Sequence, residues 1–243
     1  MSTIQLQETV GQLVARHPAL TRFLEAARID YCCGGKKTLA EVCREKQLDP
    51  QAFLATLEQA ASNCAGEDVF DAGAASLTDL ADHILQTHHA YLRQELPRLD
   101  MLTERVASVH GGDDPRLREV RTTLLALAAE LTSHMMKEEQ ILFPMIRRLD
   151  ASDALPEFHC GSVANPIRQM ELEHHDAGGA LERMRTLTDE YTPPSWACNT
   201  YRAMLDALAN LERDMHVHVH KEDNVLYPRA VQREAELAER APA

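Results

Sequence analysis

Six imidazole and carboxylate side chains, which recur at matching positions in two parts of the chain, are the strongest candidates for chemistry. They are His89, His134, Glu138, His174, His218 and Glu222. The later part repeats the earlier one, since HMMKEEQILFP begins at His134 and HVHKEDNVLYP begins at His218. Imidazole nitrogen combined with carboxylate oxygen suits iron, manganese or zinc. The pattern therefore predicts a metal site with near-twofold symmetry.

Helical periodicity predicts that these side chains lie on the inward faces of four long helices. In the second of them, the inward positions step by three and four residues through Leu124, Leu127, Leu131, His134, Glu138, Ile141 and Met145. The fourth repeats the steps through Met204, Leu208, Leu211, Met215, His218, Glu222 and Val225. Its other histidines, His216 and His220, lie about 200° around the helix from His218. We therefore predict that neither is a ligand.

Two of the candidate histidines have neighbours that compete for the same role. His88 also fits steps of three and four residues, so periodicity alone allows it in place of His89. His175 competes with His174 in the same way, but an inward face through His175 would lose Met170. The fit to the whole inward face favours His89 and His174.

Two buried glutamates require compensating charge. A carboxylate in a bundle core costs several kcal/mol unless it is paired or bound to metal. A single core histidine is usually structural, but six such groups in a repeated pattern favour metal binding. With about six positions per ion, four imidazoles, two bridging carboxylates and one oxo or hydroxo bridge fill about ten of twelve positions. About two positions stay open for a small ligand.

Capping and turn signals divide the chain into short helices before residue 65 and long helices after residue 76. We predict short helices over residues 9–17, 20–29, 38–46 and 49–62, and a linker over residues 63–75 that contains Gly66. Ser76, Pro115, Pro166 and Ser195 mark the starts of the four long helices. Short links between long helices predict an all-α, up-down-up-down four-helix bundle over residues 76–240, behind a small helical domain over residues 1–65.

Charge and hydropathy exclude several classes of function. The formal net charge of -13 over 243 residues disfavours binding to nucleic acid or to an anionic membrane surface. No apolar run reaches the roughly 18 residues that a membrane span needs, and residues 1–30 lack the pattern of a secretion signal. We therefore expect a cytoplasmic protein. Its six cysteines, Cys64 among them, are then expected to be free thiols.

Vicinal thiols in the segment DYCCGGKK form a second candidate site. Cys32 and Cys33 stand beside two glycines and two lysines, just before a capped helix. Such a flexible and electropositive segment favours thiolate, although packing is the alternative role of these thiols. A zinc site is not expected here, because adjacent cysteines chelate one ion poorly and no second pair lies at ligand spacing.

Along its whole length the chain resembles the iron-sulfur cluster repair proteins of bacteria, the YtfE, ScdA and NorA group. The resemblance is carried by SHMMKEEQILFP from Ser133, by Glu173-His174 followed by Ala177-Gly178, by EDNVLYP from Glu222 and by the vicinal cysteines. It implies a hemerythrin-like di-iron bundle, and the family's ligands fall on the six residues listed above. The chain departs from some relatives at Leu92, where they have a histidine, and in its histidine-rich segment 216–220.

The resemblance implies repair of iron-sulfur clusters damaged by nitric oxide or oxidative stress, by iron donation, nitric oxide handling or both. The cofactor would be two non-haem iron ions joined by an oxo or hydroxo bridge. The expected partners are nitric oxide or dioxygen and damaged iron-sulfur proteins, and a homodimer is compatible with the sequence. A cytoplasmic trap or sensor for nitric oxide or dioxygen is one alternative, and a nitric oxide reductase that forms nitrous oxide is another. The vicinal thiols favour repair, because a gas store needs none.

Overall fold

The computed structural model describes residues 4–63 and 70–240. Throughout those two ranges the regular elements are helices, apart from one isolated antiparallel bridge between Thr9 and Thr38. Cys64 and Gly66, which the sequence analysis assigned to a free thiol and a linker, lie outside the described residues.

The N-terminal part packs short helices around a small core of its own. Its helices are α1 (Val10–Arg16), a 3₁₀ turn (Pro18–Leu20), α2 (Thr21–Ala26), α3 (Leu39–Lys46) and α4 (Pro50–Asn63). Capping boxes start α1 at Thr9 and α3 at Thr38, as expected from the sequence for α3. The core contains Leu13, Leu24 and Leu57, all fully buried.

A segment of this part, residues 30–37, carries the vicinal cysteines and is here called the thiol loop. Two hydrogen bonds fix the loop to the start of α1: the amide of Val10 donates to the carbonyl of Lys37 at 2.9 Å, and that of Gly11 donates to the carbonyl of Gly35 at 2.8 Å. The loop is therefore held at the second glycine of its pair and again two residues later, which contrasts with the flexible segment expected from composition.

Four long helices follow and form the bundle. The first contains α5 (Leu77–Ile84), a π-helical turn (Leu85–His89) and α6 (Ala90–His110). The second contains α7 (Arg116–Lys137), a π-helical turn (Glu138–Leu142) and α8 (Phe143–Ala151), and the third is α9 (Ala164–Leu187). The fourth contains α10 (Asn199–Lys221), a π-helical turn (Glu222–Leu226) and α11 (Tyr227–Glu239). The predicted all-α, hemerythrin-like, up-down-up-down bundle is confirmed, with its apolar side chains turned inward.

The π-helical turns change which residues face the core. The sequence analysis placed Ile141 on the inward face, but Ile141 is 41% exposed and Leu142 is buried in its place. A π turn takes one more residue than an α turn, so the inward face shifts by one position beyond Glu138. Leu226 occupies the corresponding position in the fourth helix and is also buried.

The link between the third and fourth helices contains a displaced helix start. The third helix ends at Leu187, before Asp189, Glu190 and Tyr191, which all adopt positive φ angles. The fourth begins at Asn199, and Ser195 does not cap it. Ser195 instead lies in a turn that is closed by a 2.9 Å hydrogen bond, which the amide of Ala197 donates to the carbonyl of Pro194. Among the described helices, none has the length and apolarity that crossing a membrane requires.

Candidate metal centre

The six candidate residues converge at the centre of the bundle. Their ligand atoms form two sets, each within 4.8 Å: His89, Glu138, His218 and Glu222 in one, and His134, Glu138, His174 and Glu222 in the other. All six side chains are buried. Both sets contain the same two glutamates, so each carboxylate lies within reach of both pairs of histidines.

The distances show which atoms face the shared space. Glu138 Oε2 lies 3.2 Å from His89 Nε2 and 3.3 Å from His134 Nε2. Glu222 meets the other pair, with Oε2 3.1 Å from His174 Nε2 and Oε1 3.0 Å from His218 Nε2. Each carboxylate thus joins one histidine from its own helix to one from another.

Unsatisfied polar atoms test whether these residues fit a metal. His89 Nε2, Glu138 Oε2 and Glu222 Oε2 are buried and have no hydrogen bond. The 3.2 Å approach of His89 to Glu138 is close enough for charge attraction but lacks the geometry of a hydrogen bond. Buried atoms of this kind normally have partners, and a cation would satisfy all three together. The donor set therefore fits a metal.

Carboxylates outside the cluster orient three of the four histidines. Each lies at hydrogen-bond distance from the Nδ1 of one imidazole: Glu139 from His89 at 2.7 Å, Glu173 from His134 at 2.9 Å, and Asp223 from His174 at 2.8 Å. Such partners hold the tautomer that leaves Nε2 free for a metal. His218 differs, because its buried Nδ1 has no hydrogen bond.

One hydroxyl group distinguishes the two glutamates. Tyr227 donates from its hydroxyl to Glu138 Oε1 at 2.5 Å. The repeat puts Phe143 at the position that corresponds to Tyr227, so no equivalent hydroxyl exists for Glu222. Both aromatic rings are buried, and they stack on His174 and His89 respectively.

The electrostatics hold charge inside the core. Burial raises the pKa of Glu222, and the nearby carboxylate of Glu138 raises it further. The imidazoles of His218 and His174 outweigh both effects and lower the pKa of Glu222 to about 2. Burial likewise opposes ionisation of Glu138, whose pKa is nevertheless held well below its usual value, chiefly by His134. For His174, burial lowers the pKa, but Asp223 and Glu222 raise it well above the usual value. Without metal, protons on the imidazoles would balance the carboxylates, and metal binding would release them.

The two competing histidines, His88 and His175, lie outside the cluster. His88 is buried beside His89, but its Nδ1 lies 2.8 Å from Asp214 Oδ1 and its Nε2 accepts a hydrogen bond from Lys221 Nζ at 2.9 Å. It therefore stays out of the cluster. His175 is exposed on α9. The structure thus places His89 in the cluster and His88 outside it, which agrees with the preference for His89 in the sequence analysis.

The two remaining histidines of the fourth helix contact the N-terminal part. His220 is buried, with its Nδ1 3.2 Å from the carbonyl oxygen of Tyr31. The ring of Tyr31 meets both His216 and His220 edge-on, at centroid distances of 6.0 and 5.8 Å. Neither histidine belongs to the two ligand sets.

The thiols lie beside the metal centre, in surroundings that differ from expectation. Cys33 Sγ is 3.8 Å from the carbonyl oxygen of His174, and Cys32 Sγ is 4.0 Å from Cys33 Sγ. The electropositive setting was wrong: Lys36 and Lys37 pair with glutamates, while Asp30 Oδ1 lies 3.1 Å from Cys32 Sγ. Cys32 donates a hydrogen bond to Cys33, and this bond raises the pKa of the Cys32 thiol and lowers the pKa of the Cys33 thiol.

Three residues near the site were missed by the sequence analysis. Asp223, Asn224 and Tyr227 follow Glu222 and contact, respectively, His174, the thiol loop and Glu138. The repeat contained a signal for them, because EEQILFP and EDNVLYP agree in pattern and differ at these positions.

The fold and the cluster define a hemerythrin-like metal-binding bundle, and the Hemerythrin HHE cation binding domain matches residues 80–230. A domain of unknown function, ScdA_N, matches residues 6–61. The chain is 37% identical over 229 residues to a protein of Musicola paradisiaca, with 94% of this chain and 98% of the relative covered. It is 38% identical over 224 residues to one from an Enterobacter species, with 92% and 96% covered. Both relatives are named iron-sulfur cluster repair protein YtfE, and the chain belongs to this family.

Proposed function

We propose that this chain is a di-iron protein that repairs iron-sulfur clusters damaged by nitric oxide or oxidative stress. The observation that carries the proposal is the pair of buried glutamates shared by two sets of histidines. Each iron would take two imidazoles and share both carboxylates, together with an oxo or hydroxo bridge. Two iron ions held in this way would supply open coordination positions for nitric oxide or dioxygen.

The residues of the chain give the site a means to hold and to release iron. Glu138 and Glu222 are fully buried, so either carboxylate is costly to leave without a cation. Each would bind both ions, so displacement or protonation of one glutamate would weaken two metal bonds together. These two side chains are the proposed gate for iron donation.

The chain would act through two domains, residues 1–65 with the thiols and residues 76–240 with the metals. The approach of Cys33 to the carbonyl of His174 supports a joint role. Damaged iron-sulfur proteins are the proposed clients, and a homodimer is compatible with this role. A nitric oxide or dioxygen trap, or a nitric oxide reductase that forms nitrous oxide, would use the metals without the thiols.

The first test is metal analysis with an optical spectrum of anaerobically purified protein. We expect two irons per chain and an oxo-bridge band. The loaded protein should then restore activity to an iron-sulfur hydratase inactivated by nitric oxide, whereas Glu222→Leu should not. Metal binding without any restoration would favour the trap or the reductase.

A thiol variant separates the two domains. Cys32→Ser combined with Cys33→Ser should keep the di-iron spectrum and impair restoration of the damaged enzyme. Cys198→Ser is the matched control, because Cys198 is exposed and far along the chain from the thiol loop. An unimpaired double variant would favour gas binding, and loss of metal would make the thiols part of the site.

Nitric oxide titration tests how release occurs. The reduced protein is titrated beside a ferrous chelator, and iron-nitrosyl bands are followed together with chelated iron. We expect both signals to rise together, because about two positions are open and release needs only a glutamate to leave. Nitrosyl bands without chelatable iron would leave a trap or a reductase.

A further inference from the structure

Three consecutive residues of the π-helical turn Glu222–Leu226 face three different partners. Glu222 faces the metal cluster, and Asp223 orients His174 through a 2.8 Å contact. Asn224 points the other way and donates from Nδ2 to the carbonyl of Cys32 at 2.9 Å. One turn of backbone therefore connects the bridging carboxylate to the thiol loop.

The thiol loop is shaped around Asn224. The same amide group lies 3.4 Å from the carbonyl oxygen of Tyr31, so it contacts two successive carbonyls. Gly11 and Gly35 pack against the side chain of Asn224, where a Cβ on either glycine would collide with its amide. Gly11 also donates to the carbonyl of Gly35, so the two glycines lie together against this one residue. Because neither glycine has a Cβ, the side chain of Asn224 fits between the start of α1 and the loop.

The other half of the bundle provides an internal comparison. Gln140 occupies the position of Asn224 in the repeat, two residues after Glu138. Its side chain is exposed, whereas Asn224 is half-buried under the thiol loop. The turn geometry is shared by both halves, so the contact with the loop, and not the turn alone, distinguishes Asn224.

We propose that Asn224 is a positioning residue that couples the thiol loop to the metal centre. Metal bound by Glu222 fixes the π-helical turn, and the turn then holds Asn224 against the carbonyls of Tyr31 and Cys32. By linkage, docking of the loop must favour metal retention to the same degree. Cys32 is buried against the bundle while the loop is docked, so undocking of the loop would expose Cys32 and loosen Glu222 together. This inference rests on the proposed metal site and adds the way in which the two parts of the chain act jointly.

The test measures alkylation of the buried Cys32 by iodoacetamide, resolved by peptide mass spectrometry, in metal-loaded and chelator-treated full-length protein. Metal removal should speed the reaction at Cys32 by roughly fivefold or more in the unmodified chain, within the usual range of coupling between sites. In Asn224→Asp, which keeps the shape and removes the donor, the rate should be high with or without metal. Gln140→Glu adds the same charge at the matching position and should behave like the unmodified chain.

The reciprocal measurement is the rate at which a chelator removes metal. Asn224→Asp should lose metal faster than Gln140→Glu by a factor similar to its gain in Cys32 reactivity. Asn224→Ala, which adds no charge, should agree with Asn224→Asp. An alkylation rate at Cys32 that does not depend on metal in the unmodified chain, or one that still depends on metal in both Asn224 variants, would overturn the coupling. Absence of bound metal in the unmodified chain would overturn the proposed function itself.

Discussion

The two halves of the bundle share a ligand pattern and differ in what surrounds it. In the first half, Glu138 accepts a hydrogen bond from Tyr227. In the second, Phe143 stands at the position that Tyr227 has in the repeat, so Glu222 has no corresponding hydroxyl donor. The carboxylate after each glutamate also differs, because Glu139 is 25% exposed on its side chain and Asp223 only 10%. Repetition thus sets the candidate ligands, while the residues between them make the surroundings of the two glutamates inequivalent.

Loss of a bridging glutamate should have the largest effect and should affect both halves alike. Glu138→Leu or Glu222→Leu should abolish the two-metal site, because each removes a ligand from both sets. His216→Ala and His220→Ala should leave the iron content nearly unchanged, since both face Tyr31. Metal analysis of these four variants and of His218→Ala is the measurement. Loss of an iron from His220→Ala but not from His218→Ala would mean that the helical register is wrong.

The orienting carboxylates should reveal the difference between the halves. Asp223→Asn should weaken metal binding by about 10-fold to 100-fold, because His174 would lose the partner that sets its tautomer. Glu139→Gln should have a smaller effect, since Glu139 is more exposed and is shared with Arg93. Competition with a chelator of known affinity measures both. Equal losses would remove the proposed inequivalence.

Loss of the Tyr227 hydroxyl should have a smaller effect, which is on the stability of the metal-free protein. Tyr227→Phe makes the second half like the first and leaves Glu138 without its donor, so the metal-free protein should lose about 1–3 kcal/mol of unfolding free energy. The matched control is Tyr91→Phe, because the Tyr91 hydroxyl is buried and has no hydrogen bond. Denaturant unfolding compares the two. A loss from Tyr91→Phe as large as that from Tyr227→Phe would contradict the role of this bond.

The residues that precede α7 and α10 should differ in chemical reactivity. Cys198 precedes α10, where the amide of Tyr201 and then His110 lower the thiol pKa to about 7, whereas Pro115 precedes α7. A lowered thiol pKa means thiolate above that pH, so alkylation of Cys198 should be half-maximal near pH 7 and fall below it. Burial raises the pKa of Cys43, so the rate of its alkylation should still be increasing at pH 9. A half-maximum for Cys198 above pH 8 would contradict the assignment.

Much of this architecture follows from local sequence. Periodicity and caps predicted the four long helices, because apolar steps and turn residues act within a few positions of one another. Periodicity left His88 open beside His89, and the fit to the whole inward face together with the family resemblance favoured His89; the structure brings all six candidates together. It failed at Ile141, since a π-helical turn changes the register that periodicity assumes.

Only the tertiary structure decided how the two parts of the chain meet. In the sequence, Asn224 is an ordinary polar residue after a glutamate. Its proposed positioning role depends on the carbonyls of Tyr31 and Cys32, almost 200 positions away in the chain. The pairing of Lys36 with Glu171, which moves positive charge away from the thiols, is equally long-range. Helical spacing depends on neighbours along one segment, so the sequence determines it; contacts between distant segments depend on how whole helices pack, and no local pattern records them.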